Sequence, residues 1–284
     1  MVKVFLDTDI GPDCDDTGAL QVLHTLCAQG KTQLLGVTHC TSNPHGLPAV
    51  SAINRYNRRE VPLGTTRREG FLTGGDKYNR ALDENYDHEF KDGRMQRDAR
   101  EVFAQVLAAQ DDQSVTVAAI GPLNNIADYI ATEEGIALVR KKVRLLVCMA
   151  GRFDTSKPEW NVEMDVTAAR KVLESWPTPI VFCGWEAGGH IITGAALEGK
   201  AEHPVREAYR LYTNGSLRRQ SWDLLTVLYA VLGDCAWIHA GEPGVISVQD
   251  DGATSFRACK TGHHRHTING VSDESLAGYL NALL

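Results

Sequence analysis

Val2-Lys-Val-Phe-Leu6 runs directly into Asp7-Thr-Asp9-Ile-Gly11-Pro12-Asp13-Cys14-Asp15-Asp16, and this stretch decides the fold. The first five residues are the short, largely apolar run of a buried strand. Gly11 and Pro12 then force a turn. From Asp16 to Gln29 the residues Ala19, Leu20, Leu23, Leu26 and Cys27 share one helical face. A strand, an acidic turn and a helix in that order begin a parallel α/β unit.

Outward from this unit the scheme repeats. Leu34–Thr38 predicts a second strand and Leu47–Tyr56 a helix. A helix over Ala99–Ala109 leads to a strand at Val115–Ile120. Val143–Met149 and Ile180–Cys183 read as strands flanking a helix at Asp165–Ser175. Such alternation implies an α/β fold built on an open, mainly parallel, doubly wound sheet with helices on both faces. Ligands of such sheets bind beyond the carboxyl ends of the strands. Three stretches read as loops: 64–92, 152–158 and 184–200. No repeat, low-complexity tract or linker divides the 284 residues, so one domain is expected.

A nucleic acid or an anionic membrane would want a basic face, so the net charge of −7 argues against both, and neither partner is expected, although a small local basic patch is compatible with that charge. No run approaches the ~20 apolar residues that span a bilayer. The opening residues are too short for a secretory core. Seven scattered cysteines without a Cys-x-x-Cys pair fit a reducing cytoplasm and suggest neither zinc nor a disulfide framework.

Asp7, Asp9, Asp13, Asp15 and Asp16 crowd the end of the first strand. Like charges at this density call for a cation or strong donors. Carboxylates without a His or Cys set select calcium, magnesium or manganese. The alternative is a solvated turn before an Asp-rich helix start. The spacing is not that of an EF-hand loop.

Other strand ends carry weaker signals. Asp223, in Ser221-Trp222-Asp223-Leu-Leu, is either a first-turn residue or a remote metal ligand. Gly121-Pro122 after Ile120 is either an ordinary turn or a device that frees the Ile120 carbonyl for a cation. Glu159 and Asn161, two apart in extended chain after Met149-Ala150-Gly151, would point the same way and grip a polyol. Asn43, in Thr41-Ser42-Asn43-Pro44, is open to a binding or a surface reading. His263, His264 and His266 lack a carboxylate context and read as a solvated loop.

Together these segments resemble the inosine-uridine preferring nucleoside hydrolase family. Its opening Asp-x-Asp-x-Gly-x-Asp-Asp is similar to Asp7-Thr-Asp9-Ile-Gly11-Pro-Asp-Cys-Asp15-Asp16, with two extra residues before the final pair. Ile120-Gly121-Pro122-Leu123-Asn124-Asn125, Glu159-Trp160-Asn161 with Asp165, and Trp222-Asp223 follow in the family's order. The resemblance reaches from residue 7 to about 230.

It implies a bound calcium ion held by Asp9, Asp16, Asp223 and the Ile120 carbonyl. It also implies hydrolysis of the N-glycosidic bond of a ribonucleoside, with Asp9 as the base. Asp15, Asn43, Met149, Glu159 and Asn161 would hold the ribose, and a homodimer or homotetramer is implied. Trp222 stands where many members carry a His; it resembles the purine-specific branch, where an indole stacks on the base, and otherwise fills the core. Gly151-Arg-Phe-Asp-Thr-Ser-Lys157 replaces a Gly-Asn of the family. The insertion leaves Asp13 without an assigned role, an additional ligand being one option.

Two other readings compete. A haloacid-dehalogenase-type phosphohydrolase also begins with Asp-x-Asp, but the Glu-x-Asn and Gly-Pro-Leu segments have no place in it. A non-catalytic, metal-dependent riboside or sugar binder is motivated by Trp222 and the altered 152–157 loop.

Overall fold

Residues 1–74, 76–91 and 94–284 are described by a computed structural model. The first half of the chain forms β1 (Val2–Thr8), α1 (Asp15–Ala28), β2 (Thr32–His39), α2 (Gly46–Tyr56), β3 (Leu63–Thr65), α3 (Asn79–Asn85), β4 (Arg97–Asp98), α4 (Ala99–Ala108), β5 (Val115–Ala119), α5 (Asn124–Tyr129), α6 (Glu133–Lys142) and β6 (Val143–Met149). There follow α7 (Trp160–Met164), α8 (Val166–Ser175), β7 (Ile180–Cys183), α9 (Trp185–Gly188), β8 (Ile192–Thr193), α10 (Pro204–Tyr212), β9 (Arg219–Gln220) and α11 (Trp222–Leu232). The chain closes with β10 (Ile238–Ala240), β11 (Gly244–Val248), β12 (Thr254–Ala258), β13 (His264–Asn269) and α12 (Asp273–Asn281).

Among the described residues one open sheet of 11 strands runs in the order β12-β11-β13-β7-β6-β5-β1-β2-β3-β4, with β10 on β13. From β13 to β4 every pairing is parallel. β1 is central. The chain moves out from it through β2, β3 and β4, then returns to lay β5 on its other side and continues to β6 and β7. Strand order therefore reverses between β1 and β5, and their carboxyl ends open a crevice there. The expected doubly wound, mainly parallel sheet is present.

Each central strand is buried on both faces, because its alternate side chains enter two separate cores. Val4 and Leu6 face one core while Phe5 faces the other; Val147 and Met149 oppose Leu146 and Cys148 in the same way. α1 and α11 pack together on the first face, and α4, α5, α6 and α8 cover the second. Burying a side chain such as Phe5 contributes about 1.5–3 kcal/mol. Its ring meets Phe103 edge-on at 5.0 Å, and Phe103 stacks on Tyr129 at 3.8 Å. This aromatic column stands directly beneath the crevice.

Several expectations require correction. The expected loop 64–92 begins within β3 and contains α3; its positions 75 and 92 lie outside the described residues. In α3 only Asn79 and Leu82 are buried, too few apolar positions to show a helical period. The expected loop 184–200 contains α9, β8 and a 3-10 turn at Ala195–Leu197. His264 and His266 lie on β13 rather than in a solvated loop, and the His264 Nδ1 accepts from the Ile246 amide at 3.0 Å.

Candidate active site

The carboxylate wall is built where β1 ends. Gly11, at φ +143°, makes a turn that an L side chain would strain, and the chain then enters α1 at Asp15. Asp15 and Asp16 occupy the first turn of α1, and Asp223 the first turn of α11. The two helix starts converge: the Asp223 amide donates to Asp15 Oδ2 at 3.1 Å. One oxygen from each of Asp15, Asp16 and Asp223 lies within 4.8 Å of the others. Helix N-termini favour negative charge, so this is where three carboxylates can be gathered at lowest cost.

Burial sets the electrostatics. It raises Asp9 to about 7, against the lowering effect of hydrogen bonds that include one with Asp16. Burial also raises Asp15, Asp16 and Asp223 well above the carboxylate range, and their mutual repulsion adds to it. No such group is comfortable as an anion without positive charge nearby. The donors are all oxygen, which fits a hard divalent cation and does not fit zinc or copper. Asp9 stands beside this trio rather than among its three converging oxygens.

β5 supplies the floor. Its register places Asp7 opposite Ala119, and the Ile120 amide donates to the Asp7 carbonyl at 2.8 Å. Gly121 follows because nothing larger fits: a Cβ there would stand 2.8 Å from Asp9 Oδ1 and 2.8 Å from Cys40 Sγ. Asp7 itself points down. Its Oδ1 accepts from Asn125 Nδ2 at 2.8 Å and from Thr38 Oγ1 at 2.5 Å, which ties the site to the aromatic column through Tyr129. Thr8 Oγ1 donates to Asp16 Oδ1.

β6 and α7 supply the third side. Glu159 is buried and caps α7, accepting from the amides of Gly151 and Asn161 at 2.9 Å each and of Val162 at 3.3 Å. Burial raises it to about 7 and these amides oppose the rise. Glu159 and Asn161 are thus not two residues of extended chain, as expected, but a cap and the turn it organises. Asn161 Nδ2 donates to the Met149 carbonyl at 2.9 Å and lies 3.5 Å from the Ile120 carbonyl.

A cavity of about 700 Å³ is lined by Asp9, Asp15, Asp16, Ile120, Met149, Glu159, Asn161, Trp222 and Asp223, residues singled out in the sequence. Asn43 is not among its lining residues. It is buried at the entry to α2, where its Oδ1 accepts from the His45 amide at 2.9 Å and its Nδ2 finds no partner among the described residues. Asp13 lines the cavity but is turned to Arg219, with contacts of 2.8 and 3.0 Å to Nε, which sets it apart from the converging trio.

Of the opposite wall the sequence marks only Trp222 and the altered 152–157 loop; Trp185, Tyr212 and Arg219 are additions from the structure. Trp185, at the start of α9, accepts at its carbonyl from Trp222 Nε1 at 2.8 Å, and the two indoles lie 6.1 Å apart. Arg152 lies over the Trp185 ring at 3.7 Å, and Arg219 lies 5.0 Å from the Trp222 ring and 5.2 Å from that of Tyr212. Trp222 is half-buried: it packs on the core and also lines the cavity. Trp185 and Arg152 follow the ends of β7 and β6, so the strand-end rule carries a signal for both. Arg219 had none beyond its nearness to Trp222.

Solved structures share this architecture. An inosine-uridine preferring nucleoside hydrolase from Bacillus anthracis superposes with a TM-score of 0.77 at 18% identity, covering 100% of this chain and 99% of its own. An inosine-guanosine nucleoside hydrolase gives 0.77 at 18% identity, with 100% and 98% covered. A purine-preferring ribonucleoside hydrolase from Gardnerella vaginalis gives 0.75 at 18% identity, with 99% and 97% covered. No curated protein matches the chain. The model of the inosine-uridine preferring nucleoside hydrolase family matches residues 4–269, nearly the whole chain. This protein therefore belongs to that family and is an N-glycosyl hydrolase.

Proposed function

We propose that the protein hydrolyses the N-glycosidic bond of ribonucleosides, purine nucleosides foremost, to ribose and free base with the help of calcium. The observation that carries this is the convergence of Asp15, Asp16 and Asp223 from two helix starts at the strand-order switch point. Asp9, Asp16, Asp223 and the Ile120 carbonyl would hold the cation. A set of carboxylates with a backbone carbonyl suits calcium, which accepts many oxygens in flexible geometry. Bound by these residues, such a cation would supply the positive charge that makes a water more acidic and attracts sugar hydroxyls.

The chain's own residues do the rest. Asp9, which a bound cation would keep ionised, would take a proton from the attacking water. Asp15, Glu159, Asn161 and the Met149 region would fix the ribose, with Asn43 supporting them from outside the cavity. The ring of carboxylates stabilises the positive charge that grows on the ribosyl group as the base leaves. Trp222, with Trp185 behind it, offers the aromatic surface a purine would stack on.

All seven cysteines are free, which supports a cytoplasmic setting. A homodimer or homotetramer belongs to the same reading. The test is ribose release from purine and pyrimidine nucleosides, with calcium and after chelation. Calcium-dependent release, faster from purines, is expected. Phosphate release from a generic phosphatase substrate without any ribose would overturn the proposal.

A further inference from the structure

A purine leaves its sugar with an electron pair on nitrogen, and something must balance that charge. Among the described residues that line the cavity there is no histidine. Three cationic side chains do line it: Lys77, Arg152 and Arg219. They are not equivalent. Arg152 stacks on Trp185 and pairs with the partly exposed Asp154 at 2.7 Å. Lys77 is exposed. Arg219 is partly buried, is held at Nε by both oxygens of Asp13, and uses Nη1 on the Gln220 Oε1 at 2.8 Å. Its charge also acts on Asp15, whereas the acids that raise Arg152 are Asp154 and Glu186.

Asp13 is itself fixed, because the Tyr78 hydroxyl donates to its carbonyl at 2.6 Å. Resting on the reading above, we propose that the Asp13–Arg219 pair is a positioning device that activates the leaving base in place of a side-chain acid. The two-residue insertion in the acidic turn supplies Asp13. Asp13 sets the guanidinium plane beside Trp222, where a stacked base would lie. A fixed cation in a partly dry site stabilises charge that develops only in the transition state.

The step balances without proton transfer from arginine. Hydroxide from the attacking water bonds to C1′, and the water's other proton passes to Asp9. The C1′–N bond breaks and leaves its electron pair on the base. The base then collects a proton from solvent, and Arg219 keeps its own throughout.

The calcium-loaded wild type, R219Q and D13N would be compared on inosine and on 4-nitrophenyl β-ribofuranoside, whose leaving phenolate spreads its charge into the nitro group and departs without activation. R219Q is expected to lower kcat/KM on inosine by about 10²-fold and on the nitrophenyl riboside by less than about threefold. D13N should show the same split, smaller in size, with calcium affinity by calorimetry unchanged in both. Equal losses on the two substrates would make the pair merely structural and overturn the inference, as would full activity on inosine. If R219Q fails to fold by circular dichroism, D13N carries the comparison alone. A wild type that releases ribose from neither substrate would instead overturn the hydrolase reading, and the inference with it.

Discussion

The two walls of the cavity are built on opposite principles. The carboxylate wall is buried, its backbone placed by β1, β5 and the first turns of α1 and α11, and its charges repel one another. The aromatic wall is half-exposed and comes from side chains of α9, α10, β9, α11 and the 152–158 loop, and Arg152 and Arg219 sit against rings and acids that attract them. One wall stores unfavourable electrostatics until a cation arrives. The other is already satisfied. Function should therefore be lost at different levels when each is altered.

The largest effect is expected from Asp223→Asn. Removing one of three converging carboxylates should lower kcat/KM by about 10³-fold and weaken calcium binding. Yet the protein without calcium should melt no lower than the wild type, because the change relieves repulsion from Asp15, Asp16 and Asp9. Calorimetric melts with and without calcium would check both halves. A variant that melts lower without calcium would show that the wall is not electrostatically loaded.

Trp222→Ala attacks the other wall and should cost less. Stacking of one base on an aromatic ring is worth about 1–3 kcal/mol, and that loss should appear mainly as a higher KM for purines. Purine over pyrimidine preference should narrow while calcium affinity stays the same. If pyrimidine and purine rates fall equally, Trp222 serves the core rather than the base.

The difference between the walls also explains what could be read in the sequence. Asp7 to Asp16 is contiguous and follows a buried strand, so its charge density is visible before folding; the parallel strands show as uninterrupted apolar runs. The aromatic wall joins Arg152, Trp185, Tyr212 and Arg219 across the chain, and no local pattern links them. Asp13 shows the limit most clearly. It sits inside the most legible motif, yet its partner lies 206 residues away and gives it a different task from its neighbours. The antiparallel edge formed by β10 to β13 is illegible for a related reason: β11 and β13 bury only two residues each and β12 one, with no sustained period of two.

The smallest effect expected is on the pH dependence of stability, and its sign separates the buried carboxylates of the site from buried histidines elsewhere in the fold. Asp9 and Glu159 are raised from 3.8 and 4.5 to about 7, so the folded protein without calcium holds more protons than the unfolded chain in that interval. Their contribution is complete below about pH 4 and is lost as pH rises through 7. His24, His39 and His203 are lowered by burial to about 4 from 6.5. They act the other way: their contribution is complete above 6.5 and is lost as pH falls through 4. Calcium would take the place of the proton on Asp9 and cancel only that part of the first effect, because Glu159 is engaged by the amides of Gly151, Asn161 and Val162. The rise in melting temperature on adding calcium should therefore be larger at pH 8 than at pH 5, by a few degrees, while the acid limb stays where the histidines set it. A calcium-induced shift that is the same at both values would mean that the carboxylates are already ionised without the cation, and the contrast between a loaded wall and a satisfied one would fall.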